Sequence, residues 1–251
     1  MACTRQALSA YLDALLSPRQ FRDYCPNGLQ VEGAEHIAHL VTGVTASQAL
    51  LDAAVASGAD AILVHHGYFW RAEEPAVVGM KAARLRTLMR ADINLFAYHL
   101  PIDWHPVFGN NVLLGQLMGV EEPKPLDPAD PNLPLFYGQL PQPVSLQTLC
   151  IDLAEKLGRA PMSVGQGEVQ KLVWCTGAGQ HYIEQAADAG AHVYVTGEVS
   201  EQTIHVAKER GICFIAAGHH ATERYGVQAV GEQVANALDC THQYIEIENP
   251  A

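Results

Sequence analysis

The sequence predicts an α/β protein made of two similar lobes, each built around a mainly parallel sheet. Short apolar runs alternate along the chain with segments of helical periodicity, which is typical of βαβ units with right-handed crossovers. A proline-rich stretch divides the chain, and the part after it repeats the order of elements found before it. With 251 residues, the chain is long enough for two modest domains.

The predicted N-terminal lobe, residues 1–120, starts with a helix and continues as strand, helix, strand, helix, strand. Thr4 is the expected N-cap of the first helix, and Gly58 is the expected stop of the second. A turn-rich stretch, 21–33, lies between the first helix and the first strand. The predicted helices are 4–16, 47–57 and 81–91, and the predicted strands are 39–45, 61–64 and 95–99.

The segment 121–143 is the predicted connection between the lobes. It contains seven prolines, which exclude a helix or a central strand. A short strand at 135–140 is compatible with the pattern if it lies at the edge of a sheet.

The predicted C-terminal lobe, residues 144–251, repeats the plan of the first. It contains predicted helices at 145–157, 182–189 and 200–210 and predicted strands at 171–176, 192–196 and 213–217. In this repeat, His65-His66-Gly67 aligns with Thr196-Gly197-Glu198, so we predict an internal duplication. In both halves, the polar residues of interest lie just after the carboxyl ends of strands.

Composition and charge restrict the class of protein. Only 17% of the residues are charged and the net charge is -12, which argues against broad binding to nucleic acid or an anionic membrane. The six cysteines include no CxxC pair, as expected for reduced thiols rather than a disulfide framework or a thiolate zinc site. No secretory signal pattern or bilayer-spanning apolar run is present, so we expect a cytoplasmic protein.

The stretch Ala61–Gly67 contains the first candidate site. An apolar strand leads into His65 and His66 and then into a glycine turn. Adjacent strand residues point to opposite faces, so both imidazoles can serve one site only where the strand ends. Open α/β sheets bind their ligands at these strand ends.

Two further groups combine histidine with a carboxylate. His99 precedes Asp103 after a predicted strand, and His219 precedes Glu223 by four residues, which places both on one face if the segment begins a helix. Imidazole and carboxylate together suit zinc, iron or manganese, and a carboxylate can bridge two ions.

Each group, taken singly, has a purely structural interpretation. Asp103 could cap a turn, Glu223 could favour a helix N-terminus, and Glu198 could cap the helix that follows it. His220 faces away from His219 and is expected at the surface or beside the ligands. Three such groups at strand ends in one chain favour a metal site over these separate roles.

Other catalytic motifs are missing from the sequence. There is no nucleophile elbow of the Gly-x-Ser-x-Gly type and no Walker loop. Gly177-Ala178-Gly179 lies between a predicted strand and a predicted helix, but Tyr182 stands where a dinucleotide-binding fingerprint needs its third glycine. We therefore interpret this segment as a tight turn.

The motifs occur in the same order as in one known family, and the match covers nearly the whole chain. The chain resembles the YbgI-like proteins, also called GTP cyclohydrolase 1 type 2 homologues. The motifs that carry the resemblance are Asn27–Val31, His65–Gly67, His99–Asp103, Gly109–Asn111, Thr196–Glu198 and Gly218–Glu223.

This resemblance implies two α/β lobes with a dinuclear metal site between them, holding two divalent ions such as zinc, iron or manganese. It also implies a toroidal homohexamer, a trimer of dimers. His99 would lie near the metal or face the substrate. Carried over by motif, the metal ligands would be His65, His66, Asp103, His219 and Glu223.

Three functions are compatible with these features. The first is a metal-dependent hydrolase of a small phosphorylated or nucleotide-like substrate, with His99 or Glu198 as catalytic general base. The second is a metal storage, sensing or delivery protein without turnover. The third is a ring-shaped interaction scaffold.

Overall fold

A computed structural model describes residues 2–251 of the chain and divides it into two compact units. Unit 1 comprises the chain up to Ile102 together with Gly226–Glu248. Unit 2 comprises Asp103–Tyr225 together with Asn249–Ala251. Both units combine sheets with helices, so the predicted two-lobed α/β class is confirmed.

Helices account for much of each unit. Among the described residues they are α1 (Arg5–Leu16), α2 (Gln48–Ser57), α3 (Gly79–Ala91), α4 (Leu100–Trp104), α5 (Asn110–Leu117), α6 (Leu146–Leu157), α7 (Ile183–Asp188), α8 (Glu201–Arg210) and α9 (His219–Leu238). Two short 3-10 turns, Pro18–Gln20 and Gln180–Tyr182, precede irregular or helical segments.

The strands are short, as expected for sheets with helices on their faces. In chain order they are β1 (Cys3–Thr4), β2 (Gly28–Val31), β3 (His36–Ile37), β4 (His39–Thr45), β5 (Ala61–His66), β6 (Asn94–Ala97), β7 (Lys124–Pro125), β8 (Phe136–Ser145), β9 (Met162–Val164), β10 (Glu168–Cys175), β11 (Val193–Thr196), β12 (Cys213–Ala216) and β13 (Thr241–Tyr244).

Hydroxyl side chains begin four of the helices. The hydroxyl oxygen of each cap residue accepts a hydrogen bond from a backbone N–H of the first turn, which would otherwise have no helical partner. Thr4 accepts from Ala7 at 3.1 Å, as predicted. The same arrangement begins α2, α6 and α8 at Ser47, Ser145 and Ser200.

The main sheet of unit 1 has the order β13-β4-β5-β6-β2, and only β2 is antiparallel to its neighbour. Its central strands are buried along most of their length, as expected for a parallel sheet with helices on its faces. The core formed there includes Val41, Ile62, Val64 and Leu95.

The main sheet of unit 2 has the order β7-β8-β10-β11-β12-β9. The central strands β10, β11 and β12 are parallel, whereas the strands outside them run antiparallel. Each unit therefore contains three parallel strands that follow one another in the chain and are linked through helices, β4 to β6 in unit 1 and β10 to β12 in unit 2, and β13 adds a fourth parallel strand to the sheet of unit 1. Trp174 is fully buried in the core of unit 2, where it packs with Phe136.

The bounds of the two units differ from those of the predicted lobes. Residues 103–120 belong to unit 2, because α5 contributes Val112 and Leu114 to the same core as Trp174. Residues 226–248 belong to unit 1, because β13 pairs with β4 along the edge of its sheet.

The proline-rich connection lies inside unit 2 and contains a longer strand than predicted. β8 pairs with β10 on one side and meets only the two-residue β7 on the other. Pro141 and Pro143 lie where the pairing with β10 shifts register, after Gln139 and before Val144. A bulge tolerates residues that cannot donate to the ladder, so the strand continues through both prolines.

No helix within residues 2–251 combines the length and apolar character needed to cross a membrane.

Candidate metal centre

Three histidines of unit 1 converge at the carboxyl ends of two adjacent parallel strands. His65 and His66 end β5, and His99 follows β6. The ring centroid of His65 lies 4.5 Å from that of His66 and 4.9 Å from that of His99. One ring nitrogen from each of the three histidines lies within 4.8 Å of the other two. The end of the strand thus brings two consecutive imidazoles together, as predicted.

The Nδ1 atoms of all three rings have partners in unit 1. His65 Nδ1 donates to the Tyr98 carbonyl at 3.3 Å, which fixes the tautomer whose lone pair is on Nε2. His66 Nδ1 lies 3.1 Å from Thr45 Oγ1. An ion at this position would therefore bind Nε2 atoms, which is the usual arrangement for oriented histidine ligands.

His99 is oriented by Asp23. His99 Nδ1 donates to Asp23 Oδ1 at 2.7 Å, and the other carboxylate oxygen accepts from Asn27 Nδ2 and from the Leu100 N–H. Burial opposes ionisation of Asp23, but the hydrogen bond and charge of His99, with the bonds from Asn27 and Tyr24, lower the pKa of its carboxyl below its usual value. The carboxylate holds the His99 ring in one orientation.

Cys25 lies close to the same pair, and one ligand atom each of Asp23, Cys25 and His99 lie within 4.8 Å of one another. Burial and then the charge of Asp23 raise the pKa of the Cys25 thiol to about 12, so without a metal ion the thiol stays protonated at neutral pH. Asp23 already accepts several hydrogen bonds through both oxygens. We therefore interpret Asp23 as a support for His99.

The candidate ligands of unit 2 include the first turn of α9. This helix begins at His219, which meets the condition for placing His219 and Glu223 on one face, and the i,i+4 spacing places His219 Nε2 3.0 Å from Glu223 Oε2. His219 Nδ1 donates to Glu198 Oε1 at 2.7 Å. Burial lowers the pKa of His219, but hydrogen bonds and charges from Glu223 and Glu198 outweigh it and raise the pKa to about 9. When its ring is protonated, His219 forms an ion pair with Glu223 through Nε2.

Asp103 is the second buried carboxylate of unit 2. Its Oδ1 accepts from Asn110 Nδ2 at 2.8 Å and from Thr176 Oγ1 at 3.2 Å. Asn111 Nδ2 also donates to the backbone carbonyl of Asp103, and Asn111 Oδ1 accepts from the Thr176 N–H. These bonds fix the carboxylate beside the carboxyl end of β10.

The turn after β10 leaves space for Glu223. Gly177 has a φ of +63°, and a Cβ at this position would collide with Glu223 Oε1. The neighbouring Cys175 is buried, and burial followed by the charges of Asp103 and Glu223 raises the pKa of its thiol well above the usual value. The predicted tight turn at 177–179 is present, and its first glycine accommodates a carboxylate.

The structure thus places the predicted residues in two groups. Unit 1 brings His65, His66 and His99 together, while unit 2 joins His219 to Glu223 and Glu198. His220 is buried, and its backbone N–H donates to Ala251. Sequence patterns gave no indication of Asp23, which is 76 residues from His99, nor of Asn110 and Thr176 as partners of Asp103.

The fold and these groups define a class of α/β proteins with histidine and carboxylate side chains suited to divalent metals. A family model described as Duf34/NIF3 (NGG1p interacting factor 3) matches residues 3–250. The chain belongs to the DUF34/NIF3 family, so the resemblance found in the motifs is confirmed.

Individual relatives support this assignment over the full length. A Pseudomonas aeruginosa protein named GTP cyclohydrolase 1 type 2 homolog is 51% identical over 252 residues, covering 100% of both chains. A solved structure titled protein ybgI, of unknown function, has a TM-score of 0.94 at 47% identity, covering 99% of this chain and 100% of that one. The structure of TTHA1606 from Thermus thermophilus has a TM-score of 0.91 at 31% identity, with coverage of 99% and 100%.

Proposed function

We propose that the protein is a divalent-metal-dependent hydrolase of a small phosphorylated or nucleotide-like substrate. The proposed ligands of two ions are those implied by the family motifs: His65, His66, Asp103, His219 and Glu223. Zinc, iron and manganese all suit this mixture of imidazole and carboxylate.

One observation carries the proposal. In each unit, a carboxylate accepts the Nδ1 proton of a histidine at 2.7 Å, Asp23 from His99 and Glu198 from His219. This arrangement orients an imidazole for metal binding or proton transfer and increases the basicity of its Nε2 atom. Histidines that only pack in a core do not need a carboxylate at this position.

When bound, a pair of divalent ions lowers the pKa of a coordinated water and polarises a substrate oxygen. The residues of the chain would supply the rest. His99, held by Asp23, would accept a proton from the attacking water through Nε2. Glu198 holds Nδ1 of His219, so we assign it to positioning His219, with a general-base role as the alternative to His99.

The first experiment is to measure metal content by elemental analysis after purification without added metal. We expect close to two ions per wild-type chain and a clear loss in Asp103→Ala. Asp127→Ala, which removes an exposed carboxylate of the same unit, is the matched control and should keep its metal. An absence of metal in the wild type, with no uptake of added zinc, iron or manganese, would refute the proposal.

A metal storage or delivery protein would also pass that test, so turnover must be measured separately. Wild type and His99→Gln are compared on a panel of phosphate esters and nucleotides. A hydrolase should lose most turnover in His99→Gln, by roughly 100-fold or more for the loss of a general base, and keep its metal. Readily reversible loading and no turnover on any ester would favour storage.

Assembly and location belong to the same proposal. We propose a cytoplasmic homohexamer that forms a toroid, as the family resemblance implies. Light scattering coupled to size exclusion tests the stoichiometry directly, since six chains of 27.2 kDa are well separated from one or two.

A further inference from the structure

A cavity of about 590 Å³ opens within unit 1 beside the His99–Asp23 pair. Three segments form its wall: the end of α1 with the turn after it, the stretch 21–27, and Arg71 after β5. The lining residues are Asp13, Pro18, Arg19, Phe21, Arg22, Asp23, Cys25, Asn27 and Arg71.

The wall is rich in arginine compared with the rest of the chain. Arg19, Arg22 and Arg71 all line it, although the whole chain carries only 15 basic residues and a net charge of -12. Guanidinium groups bind phosphate and carboxylate oxygens through paired N–H donors. A concentration of arginine in an acidic protein therefore indicates an anionic ligand.

The two acidic residues of the wall accept hydrogen bonds from other residues of unit 1. Asp13 Oδ1 accepts from the Tyr98 hydroxyl at 2.6 Å, and both oxygens of Asp23 accept hydrogen bonds, including that from His99. Arg19 makes no hydrogen bond or ion pair with any other described residue of 2–251. Arg71 instead donates to the backbone carbonyl of Asp23 at 3.0 Å. The wall thus presents guanidinium donors, while its carboxylates are already occupied.

Asp23 connects this cavity to the candidate metal centre. Its carboxylate lines the cavity and also accepts the Nδ1 proton of His99, whose ring lies 4.9 Å from that of His65. A ligand in the cavity would lie one side chain away from the group assigned to proton transfer. The volume also suits a small molecule of nucleotide size, because binding pockets for such ligands span about 300–1,000 Å³.

We infer that the cavity lined by Arg19, Arg22 and Arg71 binds a phosphate group of the substrate. This inference rests on the proposed function and narrows it to phosphorylated substrates that are held by unit 1 through their phosphate. Phe21, half-buried in the same wall, would contact the apolar part of the ligand.

Calorimetric titration of the purified full-length chain with inorganic phosphate at constant ionic strength tests the inference. Arg19→Gln removes one guanidinium without breaking a described contact, and we expect it to weaken phosphate binding by about tenfold, the value of one charge-assisted interaction. Arg86→Gln, an exposed arginine on α3 outside the cavity, is the matched control and should bind like the wild type.

His66→Ala separates phosphate held by arginine from phosphate held by metal. Binding that survives in His66→Ala and weakens in Arg19→Gln supports the cavity. Equal binding by wild type and Arg19→Gln, binding that is lost with the metal, or no binding by the wild type at millimolar phosphate would overturn it. Metal content is measured in every sample, so a failure of the metal centre is recognised independently of the phosphate result.

Discussion

The two units present different donor atoms, although the central strands of both sheets are parallel. In unit 1 the three histidines lie at the ends of the parallel strands β5 and β6, and in unit 2 His219 and Glu223 follow the parallel strand β12, whereas Asp103 lies on α4. Unit 1 offers three imidazoles, whereas unit 2 offers the carboxylates Asp103 and Glu223 with one imidazole. Parallel strands can therefore carry mainly neutral nitrogen ligands in one unit and mainly anionic oxygen ligands in the other.

The supporting carboxylates differ in exposure. The side chain of Asp23 is 3% exposed and that of Glu198 is 40% exposed, although each accepts from a histidine Nδ1 at the same 2.7 Å. Solvent therefore screens the Glu198–His219 interaction more strongly than the Asp23–His99 interaction. Unit 1 should hold its histidine more rigidly than unit 2, and the predictions below test this contrast.

The largest expected effect is a loss of metal affinity when Glu223, an anionic candidate ligand of unit 2, is substituted. Glu223→Gln removes the charge but nearly keeps the shape, and we expect metal affinity to fall by more than the roughly 100-fold that the loss of an outer partner costs. Competition with a chelator measures the affinity. Glu209→Gln, an exposed carboxylate of α8, should leave the affinity unchanged. Equal affinities for all three proteins would remove Glu223 from the ligand set.

Alanine variants of two glycines in unit 2 distinguish the effect of backbone strain from the effect of displacing Glu223. Gly177 and Gly190 both have positive φ, but a Cβ at Gly177 collides with Glu223, whereas a Cβ at Gly190 meets no atom within 4 Å. Alanine at either position should cost roughly 1–2 kcal/mol of stability. Only Gly177→Ala should also lose most of its metal, as judged by elemental analysis of folded protein. Equal metal retention by both variants would contradict the assigned geometry.

The contrast in exposure predicts unequal effects of two further substitutions. Asp23→Asn should reduce turnover by roughly 10–100-fold, because a buried carboxylate that orients His99 is lost. Glu198→Gln should cost less, since solvent already weakens its bond to His219. Rates on the best phosphate ester from the screen provide the comparison. A larger loss in Glu198→Gln would reverse the assignment and make Glu198 the better general base.

The smallest expected effect is a dependence of metal affinity on pH, which arises from the proton on His219. Its pKa of about 9 in the metal-free protein means that this ring is charged at pH 7.5, so a bound ion must displace the proton. Metal affinity should rise with pH and level off above about 9. Calorimetry of zinc binding in buffers of different ionisation enthalpy should detect about one released proton at pH 7.5 and none from this ring at pH 10. Glu198→Gln should lower the pH at which the release ends.

The sequence predicted local elements better than long-range pairings. The start of the first helix was visible because Thr4 is a hydroxyl residue placed before helical periodicity, and the cap bond is local. The pairing of β13 with β4 was not visible, since it joins residues about 200 positions apart and depends on the tertiary fold. The candidate site followed the same rule. The His65-His66 and His219–Glu223 groups are local in sequence, whereas the Asp23–His99 bond crosses 76 residues.

The C-terminal strand β13 completes the sheet of unit 1, which has a consequence during synthesis of the protein. The edge of β4 that pairs with β13 is made early, but its partner follows 202 residues later, from His39 to Thr241. At the ribosomal rate of about 5–20 residues per second, that edge stays open for ~10–40 s. An exposed strand edge is a template for pairing with other chains, so nascent protein should need chaperone protection over this interval.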